Sequence, residues 1–270
     1  MVSSILITGG GSGIGAALAA AMAKRGCHVL VSGRRKSALE GVAAASDKIS
    51  TCPGDVTDDA HQASLTSRLT DLPAPRAVFH GAGYFQTGPL SDLGEKDWHR
   101  SFDTNVTARW QLTARLKPHL TDGRILFIGS DAGANPRAGA AAYSIAQSAS
   151  ETLRRALQTE WADENIAVAG FKPGLVDTNM VRGFLSLSED EFPSRADYEA
   201  YVASGQITGP DTVAKFAAWL LLDIPAKQFR TTDWDIRDKS HHTEWHDGPL
   251  YPKAPEQQDM DDPGLDPGKD

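Results

Sequence analysis

The chain has 270 residues, 40% of them hydrophobic and 23% charged, which suits one α/β domain and excludes a wholly disordered chain. Its formal net charge is −8, and residues 231–270 hold eleven acidic against four basic side chains. The remainder is close to neutral and offers no basic face to nucleic acid, while no apolar run approaches the ~18 residues of a membrane-spanning helix.

The N-terminal segment enters an apolar run by about Ser4, so no targeting peptide is expected. The two cysteines, Cys27 and Cys52, make no disulfide framework. Both features lead to the expectation of a cytoplasmic protein in a reducing compartment. Strands are expected at 5–8, 28–32, 49–52, 77–80, 124–128, 166–171 and 229–236. Helices are expected at 14–25, 36–45, 58–70, 95–120, 142–165 and 211–222. Short β-branched or apolar runs alternating with Ala/Leu-rich stretches predict an α/β fold: a single doubly wound parallel sheet covered on both faces, of the Rossmann type. The catalytic and cofactor-binding domain is expected to span 1–238. Within it, residues 179–209 break the rhythm as an insertion that would cover a substrate. Residues 239–270 read as an acidic, Pro-rich tail, extended and mobile toward its end.

The segment Thr8-Gly9-Gly10-Gly11-Ser12-Gly13-Ile14-Gly15 lies between the first strand and the first helix. Glycines 9, 13 and 15 allow a tight turn and let a pyrophosphate reach backbone N–H groups at a helix N-terminus. A merely flexible Gly-rich turn is the alternative. The spacing Thr-Gly-x-x-x-Gly-x-Gly resembles that of the short-chain dehydrogenase/reductase family, and further matches follow in the family's order. Asp55-Val56 resembles the pair that holds the adenine ring. His80-Gly81-Ala82-Gly83 is similar to the Asn-Asn-Ala-Gly element, with His and Gly in place of the two Asn. Asn105, Ser130 and Tyr143 fall where the family carries its catalytic Asn, Ser and Tyr. Pro173-Gly174-Leu175-Val176-Asp177-Thr178 resembles the turn whose Thr bonds the nicotinamide amide. The resemblance covers about residues 3–238.

The resemblance implies a nicotinamide cofactor held by Gly9, Ser12, Gly13, Ile14, Gly15, Asp55, Val56, Gly81, Ala82, Gly83, Tyr143, Gln147, Pro173, Gly174, Val176 and Thr178. An acidic side chain at the end of the second strand would bond the ribose 2′-OH of NAD. This chain instead has Ser32-Gly33-Arg34-Arg35-Lys36, and guanidinium forks suit a 2′-phosphate, so NADP(H) is expected with Arg34 and Arg35 beside it. The alternative is a solvated basic loop.

In the family a Lys four residues after the catalytic Tyr lowers its pKa and holds the nicotinamide ribose. Here Gln147 stands at that spacing, on the same helix face as Tyr143. A phenol near pKa ~10 is almost wholly protonated at neutral pH. That form can donate a proton to a carbonyl but cannot take one from an alcohol, so reduction is the expected direction. Tyr143 would donate the proton, Ser130 would polarise the carbonyl, Asn105 would support a relay and Gln147 would bond the ribose. The expected activity is NADPH-dependent reduction of a ketone or α-dicarbonyl. The alternative is an NADP(H)-binding regulatory or scaffold protein with little catalysis. Lys172 is a candidate to replace the missing cation, although an outward-facing strand lysine is the plainer reading.

Met180, Phe184, Leu185, Leu187, Phe192 and Tyr198 are candidate substrate lining, with Met180 and Phe184 favoured beside Ser130. Segments 173–180, 204–210 and 234–238 resemble the branch that includes sepiapterin and benzil reductases, which reduces α-dicarbonyls with NADPH. His241, His242 and His246 with Glu244 invite a metal reading, but a solvated tail or a cover near the substrate mouth is favoured, and no metal is expected. By resemblance the protein is expected to form a homodimer or homotetramer through the helices carrying Asn105 and Tyr143.

Overall fold

The computed structural model describes residues 2–251. In chain order the elements are β1 (Ser4–Thr8), α1 (Gly13–Lys24), β2 (His28–Gly33), α2 (Lys36–Ala43), β3 (Ile49–Pro53), α3 (Asp59–Thr70), β4 (Arg76–His80), α4 (Glu95–Phe102) and α5 (Ala108–Leu116). They continue with β5 (Gly123–Ile128), α6 (Ala141–Glu160), β6 (Ile166–Lys172), α7 (Asn179–Leu185), α8 (Arg195–Ala203), α9 (Pro210–Leu222), α10 (Ala226–Thr231), β7 (Trp234–Asp235) and α11 (His242–Trp245). The seven strands form one sheet in the order β3-β2-β1-β4-β5-β6-β7, and every pairing is parallel. This is the Rossmann-type α/β architecture expected from the alternating pattern.

Side-chain alternation along the strands divides the core into two layers. Ile5, Ile7, Val29 and Val31 join Leu18 and Met22 of α1 and the apolar residues of α9. Leu6, Leu30, Val78, Ile125 and Val168 join Leu65 of α3, Leu112 of α5 and Leu157 of α6. Both faces are covered, so the strands read as continuous apolar runs rather than alternating ones. Strand order reverses between β1 and β4, which opens a crevice at the C-terminal ends of the strands.

Several boundaries differ from the sequence expectation. The helix expected over 95–120 is divided: a five-residue π-helical stretch at Asp103–Thr107 separates α4 from α5, and a 3₁₀ turn follows at Lys117–His119. Helix α6 stops at Glu160, with Trp161 buried at its end. The last strand, expected over 229–236, is only Trp234–Asp235. Phe229 belongs instead to α10 and is fully buried there.

The insertion carries α7 and α8, and its ends are joined at an isolated bridge between Val176 and Thr208. The Asp177 amide donates to Thr208 O at 2.9 Å and the Thr208 amide to Leu175 O at 3.0 Å.

The tail is not extended over 239–251. A 3₁₀ turn at Lys239–His241 leads into α11, and Leu250, Trp245 and Tyr251 pack on the core. The cause lies in α9, whose sequence Pro-Asp-Thr-Val-Ala-Lys-Phe-Ala-Ala-Trp-Leu-Leu-Leu is apolar nearly all round and must be covered on its outer side as well. His241 stacks on Phe216 at 5.1 Å between ring centroids, and Trp245 lies 4.9 Å from Phe216. The rest of the expected tail, 252–270, lies outside the described residues.

Candidate active site

The crevice at the strand ends is a cavity of about 690 Å³, large enough for a dinucleotide's reactive half and a small substrate. Its floor is set by the glycine loop after β1. Gly9 has φ +71°, and a Cβ there would lie 2.6 Å from Gly81 O; a Cβ on Gly15 would lie 2.4 Å from Gly9 O. Only bare backbone allows the loop, the α1 N-terminus and the loop after β4 to approach this closely. Thr8 fixes the approach, because its hydroxyl accepts from the Gly81 and Ala82 amides, both at 3.1 Å. Ser12 is the N-cap of α1 and makes no side-chain cap bond, leaving the first-turn N–H groups to face the cavity.

The residues singled out from the sequence converge here. Gly9, Ser12, Gly13, Ile14, Gly15, Arg34, Arg35, Asp55, Val56, Gly81, Ala82, Gly83, Ser130, Tyr143, Gln147, Pro173, Gly174, Val176, Thr178, Met180 and Phe184 all line the cavity. Arg34 and Arg35 are exposed at its rim, whereas Lys36 turns to Glu40 at 3.7 Å across one helical turn. The Asp55 carboxyl, partly desolvated, is nevertheless held below the usual carboxylate range. It accepts from the Thr57 amide at 3.0 Å and hydroxyl at 2.9 Å, with the Arg34 and Arg100 charges nearby.

Asn105 is the exception. It is fully buried in the π-helical stretch and does not reach the cavity. Its Nδ2 donates to Tyr84 O at 2.8 Å, and its Oδ1 accepts from the Tyr84 amide at 3.1 Å. The side chain is therefore occupied in holding the loop that carries Tyr84 and Phe85, two cavity residues that sequence reasoning missed. π-helical bulges of this kind commonly sit at functional sites.

At the opposite wall, Tyr143 and Gln147 lie one turn apart on α6 beside Ser130. Burial pushes the Tyr143 phenol above its ordinary pKa, against the opposing pull of the Ser130 hydroxyl, the Arg109 charge and the Gln147 amide. Lys172 is exposed, and its charge acts on Asp235; it is not the cation of this site. Arg109, from α5, lies in the cavity wall. Its sequence signal was an arginine on the apolar stripe Asn105, Ala108, Leu112, Leu116, four residues after Asn105. His80, at the end of β4, is wholly buried, with Nε2 2.8 Å from Thr113 Oγ1. Burial and the Arg109 charge push its pKa down to about 3, so the ring is neutral.

The insertion supplies the outer wall. Met180, Phe184 and Tyr198 face the cavity. Leu185, Leu187 and Phe192, also candidate lining, pack behind them, since the two short helices need a core of their own. Phe85 lies 4.9 Å from Tyr143 and 5.2 Å from Phe184, and Tyr198 lies 4.8 Å from Phe184. The three histidines of the C-terminal segment have separate partners: the stacked Phe216 for His241, Ile236 O at 2.7 Å for His242 and Pro249 O at 3.4 Å for His246.

A parallel sheet with a glycine cradle at its switch point and a Tyr–Ser pair on the far wall defines a dinucleotide-binding oxidoreductase site. The sequence profile of the family described as short chain dehydrogenase matches residues 3–186, and the chain belongs to that family. It is 30% identical over 224 residues to a glycine betaine reductase of Emericella nidulans, a match covering 80% of this chain but 17% of that much longer protein. It is 29% identical over 195 residues to gluconate 5-dehydrogenase of Gluconobacter oxydans, covering 69% of this chain and 75% of the relative. Among solved structures, a short chain dehydrogenase/reductase from Saccharomyces cerevisiae superposes with a TM-score of 0.81 at 18% identity, covering 91% of this chain and 100% of the other. At that identity the likeness shows the fold alone. The family binds nicotinamide cofactors, and the glycine loop at the N-terminus of α1, lining the cavity with bare backbone, fits such a group. No helix among the described residues is long and apolar enough to cross a membrane.

Proposed function

We propose that the protein is an NADPH-dependent carbonyl reductase acting on a ketone or α-dicarbonyl, with Tyr143 as the proton donor. The observation that carries this reading is the half-buried phenol at the cavity wall, pushed above its ordinary pKa and so neutral, beside an uncharged amide, Gln147, at the family's lysine position. A neutral phenol is competent to donate and incompetent to abstract. The glycine loop, Asp55–Val56, Gly81–Gly83 and the 173–178 turn would hold the cofactor, with Gln147 toward the ribose. The bound cofactor supplies the hydride. Ser130 orients the carbonyl oxygen toward Tyr143, and Tyr143 delivers a proton to it. Asn105 holds the Tyr84–Phe85 loop, the role its hydrogen bonds support.

Cofactor choice rests on the rim. β2 ends in Ser32-Gly33-Arg34-Arg35 with no carboxylate, and two exposed guanidinium groups there favour a 2′-phosphate. The aromatic wall of Phe85, Phe184 and Tyr198 favours a carbonyl carrying apolar or aromatic substituents, which accords with the resemblance to the sepiapterin and benzil reductase branch. Trp110 on α5 and Ile145 on α6, 53% and 39% exposed, support pairing of two copies through these helices. The buried free thiols of Cys27 and Cys52 suit a reducing compartment such as the cytoplasm.

The test is cofactor consumption over a panel of ketones and α-diketones, with NADPH and NADH compared and Tyr143→Phe as control. Turnover with NADPH that disappears in Tyr143→Phe is the expected result. Tight NADPH binding without turnover of any carbonyl would favour a binding protein, and a preference for NADH would refute the arginine argument.

A further inference from the structure

The cavity wall contains a charge that the reaction, as described so far, does not use. Arg109 is 3% exposed and, among the described residues, no carboxylate lies within ion-pair distance of it. Its Nη1 donates to Ser150 Oγ at 2.9 Å and to Ile128 O at 3.2 Å, and its Nη2 donates to Ala82 O at 3.3 Å. Its Nε is buried without a partner. A buried cation without a counter-charge is expensive to maintain, and here it is held by neutral dipoles alone.

Its position explains what could repay that cost. Tyr143, Gln147 and Ser150 follow one another at i, i+4 and i+7 along one face of α6. By bonding Ser150, the guanidinium joins the face that carries the phenol, and both Arg109 and Tyr143 line the same cavity. We propose that Arg109 is a positioning residue for the reductive step: from α5 it supplies the positive charge that stabilises the Tyr143 phenolate, in a site where α6 offers only the Gln147 amide. This rests on the reading of Tyr143 as proton donor.

The chemistry balances. The carbonyl carbon gains a hydride from NADPH, the Tyr143 O–H bond breaks, and its proton passes to the carbonyl oxygen. A phenolate is left, which solvent reprotonates. Arg109 acts on that phenolate without giving up a proton. A guanidinium suits the task because it keeps its charge when desolvated; burial lowers the Arg109 pKa only to about 10, far above neutrality.

The other titratable groups around the pair do not compete. His80 on β4 is neutral, and the Asp131 carboxylate is paired with Arg237 at 2.8 Å. Burial pushes the Tyr198 phenol on α8 up, keeping it uncharged.

The experiment is an ultraviolet titration of phenolate in the full chain, with and without NADP⁺, taking Tyr143→Phe as the blank that isolates one of five tyrosines. Arg109→Gln removes the charge and leaves a polar amide near the position of Nε. It should raise the Tyr143 titration by about one pH unit or more, and Arg109→Lys should restore it. Ser150→Asp neutralises the guanidinium in place and should raise the titration likewise, so the test survives if Arg109→Gln does not fold. An unmoved Tyr143 titration in either folded variant overturns the inference. If the titration moves while no carbonyl is reduced by the wild-type chain, the inference about Arg109 stands and the assignment as a reductase fails.

Discussion

Burial of His80 makes the stability of this protein depend on pH with a calculable size. The folded chain keeps the imidazole neutral down to about pH 3, whereas an unfolded chain protonates it near ~6.5. The stabilisation is thus fully present above about pH 6.5 and is lost as pH falls toward 3. Linkage between these two pKa values gives a loss of about 2 kcal/mol on going from pH 7.5 to pH 5. For a chain of this size that is a fall in Tm of about 4–8 °C. The assay is thermal unfolding across this pH range for the wild type and for His80→Asn. The variant lacks the ring contact with Phe127, at 4.7 Å between centroids, and should be less stable at neutral pH. Its dependence on pH should nevertheless be flatter, because the largest histidine contribution is gone while smaller ones, such as those of His61 and His241, whose pKa values burial also lowers, remain. Equal slopes for the two proteins would refute the assignment of this proton to His80.

Other substitutions test other parts of the molecule. Gly9→Ala places a methyl group 2.6 Å from Gly81 O at φ +71°; it should lower stability by more than about 1 kcal/mol and weaken NADPH binding, read by thermal unfolding and titration. Arg34→Ala with Arg35→Ala should weaken NADPH binding by about tenfold or more while leaving NADH binding unchanged. Gln147→Lys should extend alcohol oxidation toward neutral pH, and an unchanged pH–rate profile would count against the argument from the missing lysine. Trp245→Ala uncovers Phe216 and should destabilise the chain by about 2 kcal/mol in chemical denaturation, with a smaller effect on cofactor affinity.

The alternation of apolar runs with Ala/Leu-rich stretches was sufficient to read six strands and the order of most helices, because parallel strands covered on both faces leave an unmistakable pattern. The cofactor cradle was equally legible, since Gly9 and Gly15 stand where a Cβ would strike backbone. Contacts remote in sequence were not. Asn105 carried the expected motif, but its amide is spent on Tyr84, 21 residues away, and no local pattern announces a π-helical stretch. Arg109 stands on the apolar stripe of α5, but nothing in the local pattern tells that this stripe borders the cavity. The C-terminal segment reads as tail from its Pro, Asp and Gln content, because the aromatic partner of His241 and Trp245, Phe216, lies on α9, remote in sequence.

The clasp between Val176 and Thr208 sets a rule for how this architecture can diversify. Both ends of the α7–α8 segment meet at one bridge beside the sheet, so it can be exchanged without altering strand register, provided its aromatic residues still fit Phe85 and the loop at 138–140. Exchanging residues 179–207 between members with the same clasp would then move the preference for one carbonyl compound over another as a unit, while the nucleotide half of the cavity goes on binding its cofactor as before.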